Sequence, residues 1–338
     1  MKSTTYLFPA CAALLLLLPG GQAKAQSTWK APRAADGHAE IQGVWVNNSA
    51  TPLERPAIVD GRATLTDEEV AALRKKASQL FDDGNSDAAF FDQVFETVLA
   101  NVKGTKTGFK STDGQTGDYS SIWTESRDWD NRTSLITDPP NGKVPPLTAQ
   151  AAAAQRARVG SALGRPAGPE DRALSERCIT YGTPQLVAGY QSYREIVQSP
   201  AAVAMMTEMI HDTRVIPLNM GPHVAAGVQS WNGDARGHWE GDTLVVDSTN
   251  FRPGTFRNVS TEKLHLVERY TRTGPETLQW EVTIDDPGAW TKPWTVKVLL
   301  RRADKKVYEY ACHEGNYGLL DILSGARRED AEEAQRTH

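Results

Sequence analysis

The sequence has few of the features that identify the best-known protein chemistries. It has three cysteines in 338 residues, and its 42 acidic side chains outnumber its 37 lysines and arginines. A nucleic-acid surface needs clustered positive charge, so this balance argues against a nucleic-acid partner. The motifs Gly-x-Ser-x-Gly, Gly-x-Gly-x-x-Gly and the phosphate loop are absent from the sequence. This disfavours α/β-hydrolases, dinucleotide-dependent enzymes and NTPases, and we expect no cofactor.

Long apolar runs are also scarce. The leucine-rich run that includes residues 14–18 is too short to span a bilayer as a stable helix, so we expect no stable membrane insertion. Lys2 precedes this run, and Ala23-Lys24-Ala25 follows it with the small-x-small form of a cleavage site. The sequence therefore predicts a signal peptide at 1–25 and a periplasmic or secreted protein.

Cleavage at that site would leave two cysteines, Cys178 and Cys312. In an oxidising compartment two cysteines can form a disulfide, and a bridge across so long a loop would restrict the unfolded chain. The alternative is two buried thiols that pack as small apolar groups. The sequence gives no distance between them, so both interpretations remain open.

Alternation of apolar and polar residues dominates the stretch from 237 to 315. Leu278, Trp280, Val282 and Ile284 alternate with polar residues, and Gly, Pro or Asp ends most of the apolar segments. This pattern predicts short strands joined too closely for helical crossovers, hence an antiparallel sheet that curls into a barrel. The strands predicted in this stretch are 243–247, 263–270, 277–284, 294–300 and 307–312.

The first half of the chain adds helices to this sheet. Thr66 and Glu69 form a capping box at the start of a predicted helix, and the apolar residues of 90–99 recur at helical spacing. A third helix is predicted from Ala149. We expect one mainly β domain over 26–338, with helical insertions at about 65–100 and 148–160. Further strands are predicted at 41–46, 119–129, 132–137, 193–198 and, as a pair with a bend at 211–212, at 203–218.

Two polar clusters interrupt otherwise apolar segments. Along an extended strand, Glu208, Asp212 and Arg214 would share one face and His211 would lie on the other. A carboxylate beside an imidazole is how proteins tune a general base near neutral pH. The alternative is a structural ion pair between Glu208 and Arg214. His313 and Glu314 follow a predicted strand, where sites are often built.

We expect Glu208, His211, Asp212, Arg214, His313 and Glu314 to form a catalytic site at one mouth of the barrel. Candidate ligand-binding residues nearby are His223, His238, Trp239, Tyr310 and Tyr317. No pair or triple of these residues has the spacing of a known metal motif, so no metal site is predicted.

Several segments carry a resemblance to a known family. Gly43-Val-Trp45 resembles the first strand of lipocalin-like (calycin) barrels, in which the tryptophan plugs the closed end. Glu208-Met-Ile-His-Asp212 and Tyr308-Glu-Tyr-Ala-Cys-His-Glu-Gly-Asn-Tyr317 resemble a large, uncharacterised family of exported bacterial proteins. The resemblance extends over about 150 residues and includes 177–178, 195–200, 239–247, 250–251, 268–271, 283–287 and Trp294. It implies a lipocalin-like barrel and brings no activity with it.

Three functions remain open at this point. The first is a cofactor-independent lyase, isomerase or hydrolase that acts on a small, possibly aromatic molecule in the barrel cavity. The second is a carrier of a small apolar ligand, and the third is a cell-envelope scaffold. A carrier needs few ionisable groups inside the barrel because each one costs desolvation energy, so the polar clusters favour the enzyme. A scaffold would instead have a filled barrel and an exposed apolar patch.

Overall fold

The structure is a computed structural model. It describes residues 29–59, 61–81, 93–106, 126–163, 165–186, 188–219 and 221–336. The predicted signal peptide at 1–25, the predicted strand segment at 119–125 and the first residues of the predicted helix at 90–99 lie outside these residues.

The described residues form a mainly β protein, as predicted. The strands are β1 (Gly43–Val46), β2 (Ile136–Asp138), β3 (Tyr193–Gln198), β4 (Ala202–Thr207), β5 (Thr213–Pro217), β6 (Asp234–Glu240), β7 (Thr243–Thr249), β8 (His265–Gly274), β9 (Thr277–Asp285) and β10 (Trp294–Arg302). The α-helices are α1 (Asp67–Phe81), α2 (Gln93–Val102), α3 (Ala149–Leu163) and α4 (Tyr317–Arg336).

Nine of the strands form a nearly closed antiparallel barrel in the order β5-β4-β3-β1-β10-β9-β8-β7-β6, and β2 pairs with β10 outside this path. Because every pairing along the path is antiparallel, the two terminal strands of an odd-numbered set run in the same direction. The seam between β5 and β6 is accordingly parallel, through a bridge between Leu218 and Gly237. A Cβ at Gly237 would lie 2.8 Å from a Leu218 methyl carbon, so only glycine lets the strands approach this closely.

The connections differ between the two ends of the barrel. Short turns at 199–201, 241–242 and 275–276 join neighbouring strands at one end, which we call the hairpin end. The connections at 208–212, 250–264 and 286–293 lie at the other end, the loop end. The chain also enters β3 and β6 there. Binding and catalytic groups are more often carried by such loops than by tight hairpins.

Inward-facing side chains fill the barrel. Leu278, Trp280, Val282 and Ile284 of β9 are all buried in the core, which confirms the predicted alternation. Trp45, Trp294 and Tyr270 are also fully buried among them. The cavity that remains between Arg194, Arg214 and Glu268 has a volume of about 20 Å³, roughly the room for one water molecule. The ligand cavity expected inside the barrel is therefore replaced by packed side chains.

The helices of the first half follow their sequence signals. The backbone N–H of Thr66 donates to Glu69 (2.8 Å) and that of Glu69 donates to the Thr66 hydroxyl (3.2 Å), so the capping box of α1 is formed. Helices α1 and α2 pack against each other through a second buried cluster that includes Leu73, Phe95 and Trp129. The predicted strand at 132–137 is correct only at its end, where β2 begins at Ile136.

One prediction for the second half of the chain is wrong. Residues 307–312 form no strand. One edge of β10 pairs with β9 and the other with β1 and β2, so the barrel offers this segment no free edge. A further helix, α4, follows the barrel and was not predicted from the sequence. In α4, Leu319, Leu323 and Ala326 recur at helical spacing, which is a signal for a helix. The strand-like pattern just before the helix obscured this signal.

A buried ion pair joins β5 to β8 across the barrel interior. Both terminal nitrogens of Arg214 donate hydrogen bonds to the Glu268 carboxylate, at 2.6 and 3.0 Å, and Glu268 is fully buried. Tyr270 (2.7 Å) and the Trp280 indole (3.2 Å) donate to the same carboxylate. Burial raises the pKa of Glu268, but Arg214 and these hydrogen bonds outweigh it and hold the pKa below its ordinary value. The carboxylate is therefore ionised and fully bonded in the folded protein.

Substitution of Glu268 by glutamine should destabilise the fold strongly. Glu268→Gln leaves Arg214 buried without a counterion, which we expect to lower the free energy of unfolding by about 3–5 kcal/mol. Urea denaturation at pH 7 measures the change. The matched control is Glu281→Gln on β9, which removes the partly exposed partner of Lys297 and should cost about 1 kcal/mol or less.

The pH dependence provides a second check on this pair. Because the pKa of Glu268 is lower in the folded protein, the ion pair contributes its full stabilisation above the unfolded-state pKa of about 4.3. This stabilisation is lost as the pH falls through the lower folded-state pKa. The stability difference between wild type and Glu268→Gln should therefore shrink only in acid. A constant difference from pH 7 to pH 3 would contradict this account.

Candidate functional site

The turn between β4 and β5 places His211 at the loop end of the barrel. Met209–His211 forms a short 3-10 turn, and the N–H of Thr207 donates to the Asp212 carbonyl (2.8 Å) to close the hairpin. Ile210 and His211 are consecutive non-glycine residues with positive φ, 58° and 44°. Such backbone strain is concentrated at functional sites, where the surrounding structure holds it in place.

This turn corrects the prediction of an extended strand through 208–214. The alternation that would place Glu208, Asp212 and Arg214 on one face does not hold once the chain turns at Ile210. Ile210 is buried, and its apolar side chain made the turn look like a continuation of the strand. Arg214 is paired with Glu268 rather than with Glu208, so the alternative of a Glu208–Arg214 ion pair is also wrong.

The segment 303–314, which we call the strap, runs back from the hairpin end to the loop end along the outside of the barrel. The N–H of Ala303 donates to the Val44 carbonyl (2.9 Å), and the Lys305 ammonium lies 6.0 Å from the Tyr193 ring centre. Cys312 is bridged to Cys178, with Cα atoms 5.7 Å apart. The disulfide interpretation is therefore confirmed, and the bridge anchors the strap at the loop end.

The strap and the β4–β5 turn enclose a groove of about 500 Å³, which we call the His211 groove. Four of the predicted catalytic residues line it: Glu208, His211, His313 and Glu314. Tyr310, predicted to bind a ligand, lines it as well. The other lining residues are Met206, Thr207, Val307, Tyr308, Glu309 and Ala311.

The hydrogen bond of His211 defines what its ring can do. The Nδ1 atom lies 3.1 Å from the Tyr310 carbonyl oxygen, which accepts hydrogen bonds and cannot donate one. In the neutral imidazole this contact places the proton on Nδ1 and leaves the lone pair on Nε2. A histidine oriented in this way has the geometry of a general base. Glu208 is almost fully buried beside it, whereas His313 and Glu314 are exposed.

Asp212 and Arg214 face away from the groove. The Asp212 carboxylate accepts hydrogen bonds from the Thr180 hydroxyl (2.7 Å), the Tyr181 N–H (3.1 Å) and the Asn232 amide (3.1 Å). These bonds tie the segment before β3 to the β4–β5 turn, so Asp212 holds the loops together. Arg214 points into the barrel interior. Sequence reasoning missed its partner Glu268, although a charged residue between inward-facing Leu266 and Tyr270 was a detectable signal.

His223 belongs to a separate network on the outer face of β6, β7 and β8. Its ring nitrogens lie 2.9 Å from Asp234 and 2.8 Å from Asp247, and His265 contacts the other oxygen of Asp247 at 2.8 Å. Burial raises the pKa of Asp247, but the hydrogen bonds from His265 and His223 lower it below its ordinary value. The sequence did not single out Asp247 or His265, because their pairing depends on strand register.

The remaining predicted ligand-binding residues also lie outside the His211 groove. His238 is exposed on β6 and contacts Glu240 at 3.2 Å. Trp239 packs against the barrel core and stacks on His38, with ring centres 4.8 Å apart. Tyr317 is the first residue of α4 and is 72% exposed.

Comparison with known proteins adds no family to this description. A scan against models of known protein families found no match, and a search of curated proteins found none at significant similarity. Within the described ranges, no group of three or more His, Cys, Asp or Glu side chains is arranged to hold a metal ion. None of the described helices is both long enough and apolar enough to cross a membrane.

Removal of the disulfide should weaken the fold and free the strap. The bridge spans 134 residues, and loops of this size give a stabilisation of roughly 2–5 kcal/mol. We expect the Cys178→Ser/Cys312→Ser double variant to unfold at correspondingly lower urea concentration. Hydrogen exchange of the backbone N–H at position 312, which donates to the Tyr310 carbonyl (2.9 Å), should also become faster than in the wild type.

Chemical reduction is the control for this substitution. Dithiothreitol should lower the stability of the wild type to that of the double variant and leave the double variant unchanged. If the reduced wild type keeps its full stability, the bridge does not anchor the strap.

Proposed function

We propose that this protein is an exported, cofactor-independent enzyme that transfers protons on a small molecule bound in the His211 groove. One observation carries the proposal: His211, oriented through Nδ1 by the Tyr310 carbonyl, shares the groove with Glu208, His313 and Glu314. A base with a fixed tautomer beside further proton donors and acceptors is the minimum for general acid–base catalysis.

In this mechanism the Nε2 atom of His211 takes a proton from a substrate carbon or from a bound water molecule. A second proton, carried by protonated His313 or Glu314, goes to a different substrate atom or to the leaving group, which gives isomerisation, elimination or hydrolysis according to the substrate. Afterwards His211 releases its proton to solvent and the acid takes one up, so that the site returns to its starting state. Arg214 has no part in this step because Glu268 occupies its guanidinium.

The lining of the groove indicates the kind of substrate. Met206, Tyr308 and Tyr310 lie beside the ionisable groups, and aromatic side chains offer flat apolar surfaces with one polar atom each. A small aromatic or sugar-like compound with an acidic C–H bond fits this combination. Export rests on the predicted signal peptide at 1–25, and membership of the exported bacterial family rests on the signatures that contain His211 and His313.

A second candidate function is the envelope scaffold. Its support is the filled barrel together with an apolar row on the outer face, where Val197, Ala204 and Val215 lie opposite one another on β3, β4 and β5. Val197 and Val215 are 54% and 64% exposed. The carrier has less support, because its ligand would have to bind outside the packed barrel interior.

Proton exchange in D₂O tests the enzyme for any reaction that begins with the loss of a proton from carbon. A panel of small aromatic and sugar-like carbonyl compounds is incubated with the protein, and ¹H NMR follows the loss of each acidic C–H signal. We expect at least one compound to exchange or react faster than in buffer. His211→Gln should reduce the rate by at least a hundredfold, since general acid–base catalysis contributes about 10²–10⁴-fold.

The matched control is His265→Gln, which removes a histidine outside the groove. It should keep the full rate, and His313→Ala should lose part of it. A panel in which no compound exchanges or reacts would reject proton abstraction from carbon, and a His211→Gln variant as active as the wild type would reject His211 as the base. If the protein instead self-associates and Val215→Lys abolishes the association, the scaffold is favoured.

A further inference from the structure

A second large pocket in the described part of the chain is separate from the His211 groove. It has a volume of about 650 Å³ and lies at the loop end of the barrel. We call it the end pocket. Its walls come from the segment before β3, from the 255–258 loop, from the chain that follows β1, and from Gln93 and Leu135. The pocket is large enough for a drug-sized organic molecule, and no residue of the proposed proton-transfer site lines it.

The lining of the end pocket is mainly apolar. Leu53, Leu135, Leu174, Pro184, Leu186 and Phe256 form most of this surface. Leu135 and Phe256 also belong to the barrel core, so part of this wall is rigid. An apolar surface of this kind gains free energy when a ligand displaces water from it.

Arg257 is the one charged side chain among the residues that line the end pocket. Within the part of the chain that the structure describes, it has no carboxylate partner. Burial raises the pKa of Tyr181 on the same wall, which keeps its phenol protonated and able to donate a hydrogen bond. The pocket therefore presents a positive charge and a hydrogen-bond donor, with no acidic side chain in its lining.

A buried hydrogen-bond donor without an acceptor lies deeper in the wall of the end pocket. Gln185 lines both the end pocket and the small interior cavity, and it is 9% exposed. Its buried amide nitrogen has no hydrogen-bond acceptor in the described structure. Buried donors without an acceptor are uncommon in native proteins and are costly unless something else supplies the acceptor. This observation is independent of Arg257 and indicates the same ligand property, an oxygen that accepts hydrogen bonds.

The two walls are held in place before any ligand binds. Arg257 and Asn258 are consecutive non-glycine residues with positive φ, 52° and 58°, a strained conformation like that of the His211 turn. Opposite them, a Cβ at Gly182 would lie 2.3 Å from the Thr255 carbonyl oxygen. Only glycine permits this contact, which locks the segment before β3 onto the 255–258 loop. The pocket is thus preformed, which reduces the entropic cost of binding.

We infer that the end pocket binds a small organic acid, with an apolar body against Leu53, Leu174 and Phe256 and a carboxylate on Arg257. This site goes beyond the proton-transfer proposal and does not depend on it. The carboxylate matches the single positive charge, and hydrogen bonds to a charged partner are stronger than neutral ones. A neutral ligand of the same shape lacks that contribution and should bind more weakly.

Isothermal titration calorimetry tests the inference with two matched pairs of probes: 4-phenylbutyrate with 4-phenylbutanamide, and decanoate with decanamide. We expect at least one acid to bind in a 1:1 ratio, with its amide about tenfold weaker. Arg257→Gln should weaken the acid about tenfold and leave the amide unchanged. Because Arg257 is exposed, this variant should keep the wild-type circular dichroism spectrum.

Two further variants test whether acid binding is specific to the end pocket. Arg328→Gln, which removes an exposed arginine on α4, should leave acid binding unchanged and so excludes a general charge effect. His211→Gln should also leave it unchanged, which distinguishes this site from the His211 groove. The inference is overturned if neither acid binds below millimolar concentration, if acid and amide bind equally, or if Arg257→Gln binds the acid like the wild type.

Discussion

Closure of a barrel from nine strands imposes a constraint on the whole chain. Eight antiparallel pairings leave β5 and β6 parallel, and a tight hairpin cannot join parallel neighbours. The chain must return from the hairpin end to the loop end through 219–233 before β6 begins. Gly237 makes the seam possible by removing the side chain that would separate the strands. His223 lies on this return segment, which explains why it meets Asp234 and Asp247 rather than His211.

The same closure determines where the strap runs. Because β10 is paired on both edges, the chain after Arg302 has no strand position left and crosses the outer face instead. It reaches the loop end at Tyr310, where its carbonyl accepts the hydrogen bond from His211. The disulfide between Cys178 and Cys312 fixes its end. The His211 groove is thus formed outside the barrel wall, between an irregular segment and a strained turn, while the interior is left for packing.

The parts of this structure that the sequence predicted are those set by local patterns. Alternation located β9, and the capping box of Thr66 and Glu69 located α1, because in both cases the interacting residues are neighbours in sequence. The strap misled the prediction: residues 307–312 have strand composition, but pairing depends on a free edge elsewhere in the sheet. For the site, the polar clusters around His211 and His313 were visible, whereas the partners of Arg214 and His223 depend on register across the barrel. The end pocket was not foreseen, since its walls come from five segments that are distant in sequence.

The two candidate sites share a wall, and the hydrogen bonds of Asp212 hold that wall together. Its carboxylate binds the Thr180 hydroxyl and the Tyr181 N–H, which line the end pocket, while its neighbour His211 lines the groove. The Asp212 carboxylate already accepts three hydrogen bonds that hold the surrounding loops together. Asp212 fixes the distance between the turn and the pocket. Asp212 thus joins the Tyr181 wall of the end pocket to the His211 turn by hydrogen bonds, and the Cys178–Cys312 bridge joins the same segment to the strap.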